Sequence, residues 1–137
     1  MSAIGIYIDV ITNKYAKFTG RARRREFWYF FLIHLITTVC LIAVAIFNFE
    51  TGSYSTGYTL WVINNLYLLF ILIPFLAISA RRLQDSGNSG WLLLLGFIPI
   101  LGFLILIVFF VLDSQSGTNR YGPNPKEGDT AISDYLV

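Results

Sequence analysis

Three stretches of the sequence contain no Asp, Glu, Lys or Arg: Phe27 to Phe49, Thr59 to Ala80 and Trp91 to Leu112, of 23, 22 and 22 residues. As helices rising 1.5 Å per residue they reach roughly 33 Å, enough to cross a hydrocarbon layer of about 30 Å. A water-soluble fold would have to hide all three behind a remainder too short to cover them. Composition points the same way, with 55% hydrophobic and only 13% charged residues, about half the charge of a soluble domain. The sequence predicts an all-α membrane protein: three transmembrane helices preceded by an amphipathic interfacial helix, with an irregular C-terminal tail. The segments are 1–26, a membrane domain over 27–112 with spans at 27–49, 59–80 and 91–112, and a polar tail over 113–137.

The first run is longer than the apolar core of a signal peptide and lacks a small-residue cleavage pattern after it, so it is expected to stay in the protein. Basic residues near span ends are held on the cytoplasmic side. Lys14, Lys17, Arg21, Arg23, Arg24 and Arg25 precede the first span, and Arg81 and Arg82 follow the second. The opposite side receives Arg120 and Lys126 together with Glu50, Asp113, Glu127, Asp129 and Asp134. The amino terminus is therefore expected in the cytoplasm and the carboxyl terminus outside. Gly96, Pro99 and Gly102 interrupt the third run. Proline removes a helical hydrogen bond and clashes with the preceding turn, so this run kinks at least. Its alternative is a re-entrant hairpin that returns the tail to the cytoplasm, which needs protein or water to cover its irregular backbone.

Ahead of the first span, Ile4, Tyr7, Ile8, Ile11, Tyr15 and Phe18 recur at helical spacing, with Asp9, Asn13, Lys14 and Lys17 on other faces. That pattern suits a helix lying in the headgroup region. Gly117, Gly122, Pro123, Pro125 and Gly128 make the tail a run of turns. The single Cys40 sits in an apolar run and behaves as a small hydrophobic group. No metal-ligand spacing, phosphate loop or nucleophile-and-base arrangement is visible. No catalytic, cofactor or metal residue is assigned, the chain is not expected to be an enzyme, and nothing suggests nucleic-acid binding.

Three segments carry a family signal: GRARRREFW from Gly20 to Trp28, RRLQDSGNSGW from Arg81 to Trp91, and NRYGPNP from Asn119 to Pro125. Their order, separated by apolar spans, resembles domain of unknown function family 805, small bacterial inner-membrane proteins. The resemblance covers about Tyr15 to Pro125. It implies a multi-span protein of the bacterial cytoplasmic membrane and carries no reaction, substrate or cofactor. Relatives often place Ser where this chain has Arg23, and His where it has Gln84. Such a Ser would form a helix-capping box with Glu26, which Arg23 cannot.

The motif residues read as membrane-boundary chemistry. Arginines there snorkel towards headgroups while Trp28 and Trp91 set their rings at the same level. A sharper reading makes Arg21, Arg24, Glu26, Trp28, Arg81, Arg82, Asp85 and Trp91 a lipid- or partner-binding cluster, since guanidinium forks suit phosphate oxygens. In it, Glu26 pairs with Arg81 or Arg82. Within the spans, His34, Thr37 and Thr38 form a polar stripe and Asn64 and Asn65 a polar pair, either gluing helices together or handling a ligand. Pro74 frees the carbonyl of Phe70, to which His34 is expected to donate.

These features favour a non-enzymatic membrane component that presents a basic face to anionic lipid headgroups. Three spans bury little surface, so it is expected to assemble with itself or with a membrane-protein partner. The alternative is a small transporter or channel subunit acting as an oligomer, its polar residues lining a shared cavity.

Overall fold

The structure, a computed structural model, describes residues 1–127. The tail positions Gly128, Asp129 and Asp134 and the carboxyl terminus lie outside the described residues. Four α-helices and one 3-10 helix make up the described chain: α1 (Ala3–Thr12), α2 (Arg24–Glu50), α3 (Tyr54–Asp85), the 3-10 helix Gly90–Phe97 and α4 (Leu101–Val111). No extended strand occurs among the described residues, only an isolated bridge between Asn119 and Gly122.

The two long helices contain the first two charge-free runs and have the length and apolarity to cross a membrane. With 27 and 32 residues they reach about 40 and 48 Å. A tight turn joins them. Gly52 takes a φ of 78° there, and the amides of Thr51 and Ser53 return to the carbonyls of Phe47 and Asn48 at 3.0 and 2.8 Å. Just beyond it Gly57 lies against the Phe49 ring, where a Cβ would come within 2.9 Å. The missing side chain thus lets the helices close antiparallel.

The third run is not one long helix as expected but a helical hairpin. Its backbone shows why. Pro99 has no N–H to continue a helix, and Ile100 adopts a left-handed φ of 62°. Gly102 then comes so close that a Cβ would sit 1.7 Å from the carbonyl oxygen of Leu95. The inbound arm is the 3-10 helix and the outbound arm is α4. At 11 residues, α4 is about 16 Å long, roughly half a hydrocarbon core. Leu106 and Phe110 turn inward, and the Phe110 ring centroid lies 4.4 Å from that of Phe27 on α2. The outbound arm therefore ends beside the start of α2, not at the far ends of the helices.

Helix α1 is capped by the Ser2 hydroxyl, which accepts from the Gly5 amide at 3.1 Å. Its buried stripe is Ile6 and Val10, flanked by the partly buried Tyr7 and Ile11. Ile4 and Ile8 of the predicted apolar pattern point outward, 68% and 50% exposed. The helix is apolar on both sides. One packs on α2 and α3, and the other is free to meet lipid.

Candidate functional site

The last nine residues of α3, Ala77 to Asp85, are all buried. A helix is hidden around its whole circumference only if chain surrounds it, and three segments do so here: the strand-like run before α2, the start of the 3-10 helix, and the tail after α4. At their centre lies Asp85, fully buried. Its Oδ1 accepts from Arg21 Nε at 2.9 Å, and its Oδ2 accepts from Arg82 Nη1 at 2.7 Å and from the Ser114 hydroxyl at 2.5 Å.

Both arginines reach onward to main-chain carbonyls. Arg21 donates through Nη1 to Gly117 at 2.7 Å and through Nη2 to Gln115. Arg82 donates through Nε to Phe110 at 3.0 Å and through Nη2 to Leu112. The last carbonyls of an α-helix lack intrahelical partners and carry the negative end of its dipole. Arg82 therefore caps α4 with a cation.

The end of α3 is satisfied by the same segments. The carbonyl of Arg81 accepts from the Ala22 amide at 3.1 Å and that of Asp85 from the Gln115 amide at 2.8 Å. The carbonyl of Gln84 accepts from Asn119 Nδ2 at 2.9 Å. Asn119 is held in turn, its Oδ1 accepting from the Tyr121 amide at 2.9 Å and its backbone bridged to Gly122 at 3.0 Å. The three sequence motifs are thus one interlocked cap, in which an arginine, an aspartate and a tight turn come together from opposite ends of the chain.

This changes the reading of the predicted cluster. Arg21, Arg82 and Asp85 face one another and the backbone rather than headgroups. Glu26 does not pair with Arg82, which is spent on Asp85; its carboxylate lies 4.0 Å from Lys14 Nζ. It does act on Arg81, whose acidic neighbours are Glu26 and Asp9. Arg24 is exposed and lies 3.3 Å from Asp113. Trp91 is 79% exposed at the rim, whereas Trp28 packs edge-on against Phe27 with centroids 5.4 Å apart. The missing capping box is evident, since the N-cap Arg23 makes no side-chain cap bond.

Around this cap, exposed and half-buried acids are held ionised. The Lys14 ammonium 2.7 Å from Asp9, together with the Asn13 amide, keeps the Asp9 carboxyl below its ordinary value. Lys126 and the Ser114 amide do the same for Asp113.

The intramembrane polar residues separate into three groups. His34 faces α3 as expected, but Nδ1 lies 3.1 Å from the Tyr67 hydroxyl. Tyr67 is in turn 2.8 Å from the hydroxyl of Tyr7 on α1, and burial, then that bond, pushes the Tyr7 phenol up. The carbonyl of Phe70 released by Pro74 receives its donor from Tyr15 at 2.7 Å, not from His34. A phenol on the segment after α1 wins because it reaches the helix from outside, while the His34 ring is engaged by Tyr67. Thr37 and Asn65 bond within their own helices, to the carbonyls of Ile33 and Trp61 at 2.8 Å each. Thr38 Oγ1 and Asn64 Oδ1 are buried without a partner among the described residues, Asn64 being only 4% exposed.

Sequence reasoning missed Ser114, Gln115, Tyr7 and Tyr67. Ser114 and Gln115 belong to none of the three motifs, and only their place between α4 and the tail turns hinted at them. Tyr7 stood in the predicted interfacial pattern as apolar bulk, and Tyr67 lay inside the second charge-free run, where hydropathy gave it no separate signal.

Residues 15–123 match the family described as Protein of unknown function (DUF805). The chain is 41% identical over 122 residues to inner membrane protein YhaI of Escherichia coli K12, an alignment covering 89% of this chain and 96% of that protein. It is 38% identical over 120 residues to inner membrane protein YhaH of the same strain, covering 88% and 95%. No solved structure matches it.

Proposed function

Because the chain belongs to the DUF805 family and is an integral inner-membrane protein like its relatives, we propose that it is a non-enzymatic membrane component that presents a folded cap to the anionic cytoplasmic leaflet. The observation that carries this reading is the division of labour among its basic residues. Arg21 and Arg82 are consumed inside the cap, whereas Lys17, Arg24 and Arg25 remain exposed beside the start of α2. Each such cation near anionic lipid contributes about 1 kcal/mol.

A hairpin that returns to its starting side leaves all ten basic residues on the side of the cap, at Lys14, Lys17, Arg21, Arg23, Arg24, Arg25, Arg81, Arg82, Arg120 and Lys126, and an excess of that kind supports a cytoplasmic cap. The residues from Asp113 to Glu127 share that side. This reading favours the re-entrant alternative for the third run over an external carboxyl terminus. A second copy covers the hairpin tip, where Phe97 and Ile100 are 84% and 78% exposed beside non-helical backbone that lipid alone cannot satisfy. Extraction of the protein with its surrounding lipid by an amphipathic polymer, followed by headgroup analysis, tests the lipid preference. Enrichment of anionic lipid over the bulk membrane is expected, and bulk composition would overturn the reading.

A further inference from the structure

Asn65 stands on a stripe of α3 that faces out of the molecule. Its neighbours one turn away, Trp61, Leu68 and Leu69, are all exposed. The side-chain Nδ2 donates to the carbonyl of Trp61 within its own helix at 2.8 Å, and Oδ1 accepts from no donor among the described residues. An amide oxygen turned towards hydrocarbon has no water to bond, and polar side chains at membrane depth ordinarily face protein.

The complementary donors are on the hairpin. At its bend the amides of Ile100 and Phe103 donate to no acceptor among the described residues. Pro99 and the left-handed Ile100 break the helical pattern there, before α4 can supply carbonyls for its own first turn. Phe97, Ile100, Leu101 and Phe103 are exposed, so one copy leaves this backbone uncovered.

The two patches lie at one depth. Leu101 is nine residues of α4 from Phe110, roughly 13 Å, and the Phe110 ring marks the level of Phe27 at the start of α2. On α2, His34 is seven residues beyond Phe27, and its contact with Tyr67 fixes the level of the antiparallel α3. Asn65 lies two residues deeper than Tyr67, which also places it roughly 13 Å from the Phe27 level.

We infer that Asn65 is the group with which a second copy of this chain docks on the hairpin bend, its Oδ1 accepting from a free amide there. The inference rests on the reading above that a second copy covers the tip, and assigns the covering surface. Two copies share one orientation in the bilayer, so patches of equal depth meet without tilting either copy. The contact joins two different patches, and a two-fold axis along the membrane normal makes it twice per pair. Asparagine amides are enriched at such contacts between membrane helices.

The test uses the full chain in liposomes, with association read by energy transfer between copies labelled at the carboxyl terminus as lipid is added. Asn65→Leu is expected to weaken association about tenfold, roughly threefold for each of the two bonds. Asn48→Leu removes an amide with the same in-helix bond, to Val44 at 2.8 Å, but at the far end of α2, and leaves association unchanged. In a Cys40→Ala background, a copy carrying Leu69→Cys and a differently tagged copy carrying Phe97→Cys are expected to form a mixed disulfide on oxidation. Association unchanged by Asn65→Leu, or the absence of the mixed disulfide, would overturn the Asn65 contact while leaving a second copy on the tip by another face. Equal weakening by Asn65→Leu and Asn48→Leu would overturn it in favour of general polarity. Copies that stay apart at every lipid dilution would overturn the contact and the reading it rests on together.

Discussion

Replacing Asp85 with Asn keeps its shape and removes the carboxylate charge that pairs with both Arg21 and Arg82. Their side chains are 2% and 0% exposed, so neither can turn to water without opening the cap. Stranding a buried charge by removing its partner costs about 3–5 kcal/mol. Here each guanidinium keeps main-chain acceptors, Gly117 and Gln115 for Arg21, Phe110 and Leu112 for Arg82. The lower end, about 3 kcal/mol, is therefore expected, on the order of a 150-fold shift in the folding equilibrium. Unfolding in mild detergent measures the total, and hydrogen exchange of peptides covering 113–124 shows where it falls. The tail should exchange faster, led by the Gln115 amide that donates to Asp85. Arg21→Gln combined with Asp85→Asn should lose less than the sum of the single changes, with a coupling of about 1–3 kcal/mol. Additive losses, or a melt unchanged by Asp85→Asn, would refute the interlocked cap.

Tyr15→Phe leaves the Phe70 carbonyl without its donor and should destabilise by about 0.6 kcal/mol as membrane hydrogen bonds go; an unchanged melt would mean that the carbonyl is satisfied elsewhere. Gly102→Ala places a methyl group against the Leu95 carbonyl and should prevent the hairpin from closing, read as loss of folded protein on size exclusion, whereas Gly117→Ala, with open space around it, costs only the strain of its φ of 66°. A cytoplasm-active reporter fused after Val137 should be active, and activity only for an externally active reporter would restore the three-span topology. The Asp9 carboxyl lies below its ordinary 3.8, so its bond to Lys14 adds stability above that pH and loses it as the pH falls through the folded value; Asp9→Asn should flatten this acid limb of α1 docking, followed by tyrosine fluorescence.

The membrane character, the helical class and the first two spans were readable because long charge-free runs leave a chain few alternatives. The third run met the same length test, yet one proline and two glycines six residues apart decided its path through local backbone geometry that hydropathy does not register. The motif arginines were recognisable as a group, but not their orientation. Span-end arginines ordinarily reach outward, and only the tail's return to the same side supplies the Gln115 and Gly117 carbonyls that turn Arg21 inward. His34 was correctly aimed at α3, but its partner is Tyr67, a phenol that hydropathy counts as part of an apolar run.

The half-length hairpin also sets the molecule's cross-section. In a bilayer, the half nearer the cap holds two long helices, both hairpin arms and the outward Ile4 and Ile8 of α1, whereas only α2 and α3 continue into the other half. The protein displaces more lipid from one leaflet than from its opposite, and a body of that shape is a wedge. It sits with least strain where the leaflet on the side of the cap is stretched over a convex surface. Gathered in numbers, such wedges would bend the sheet that contains them towards the cap.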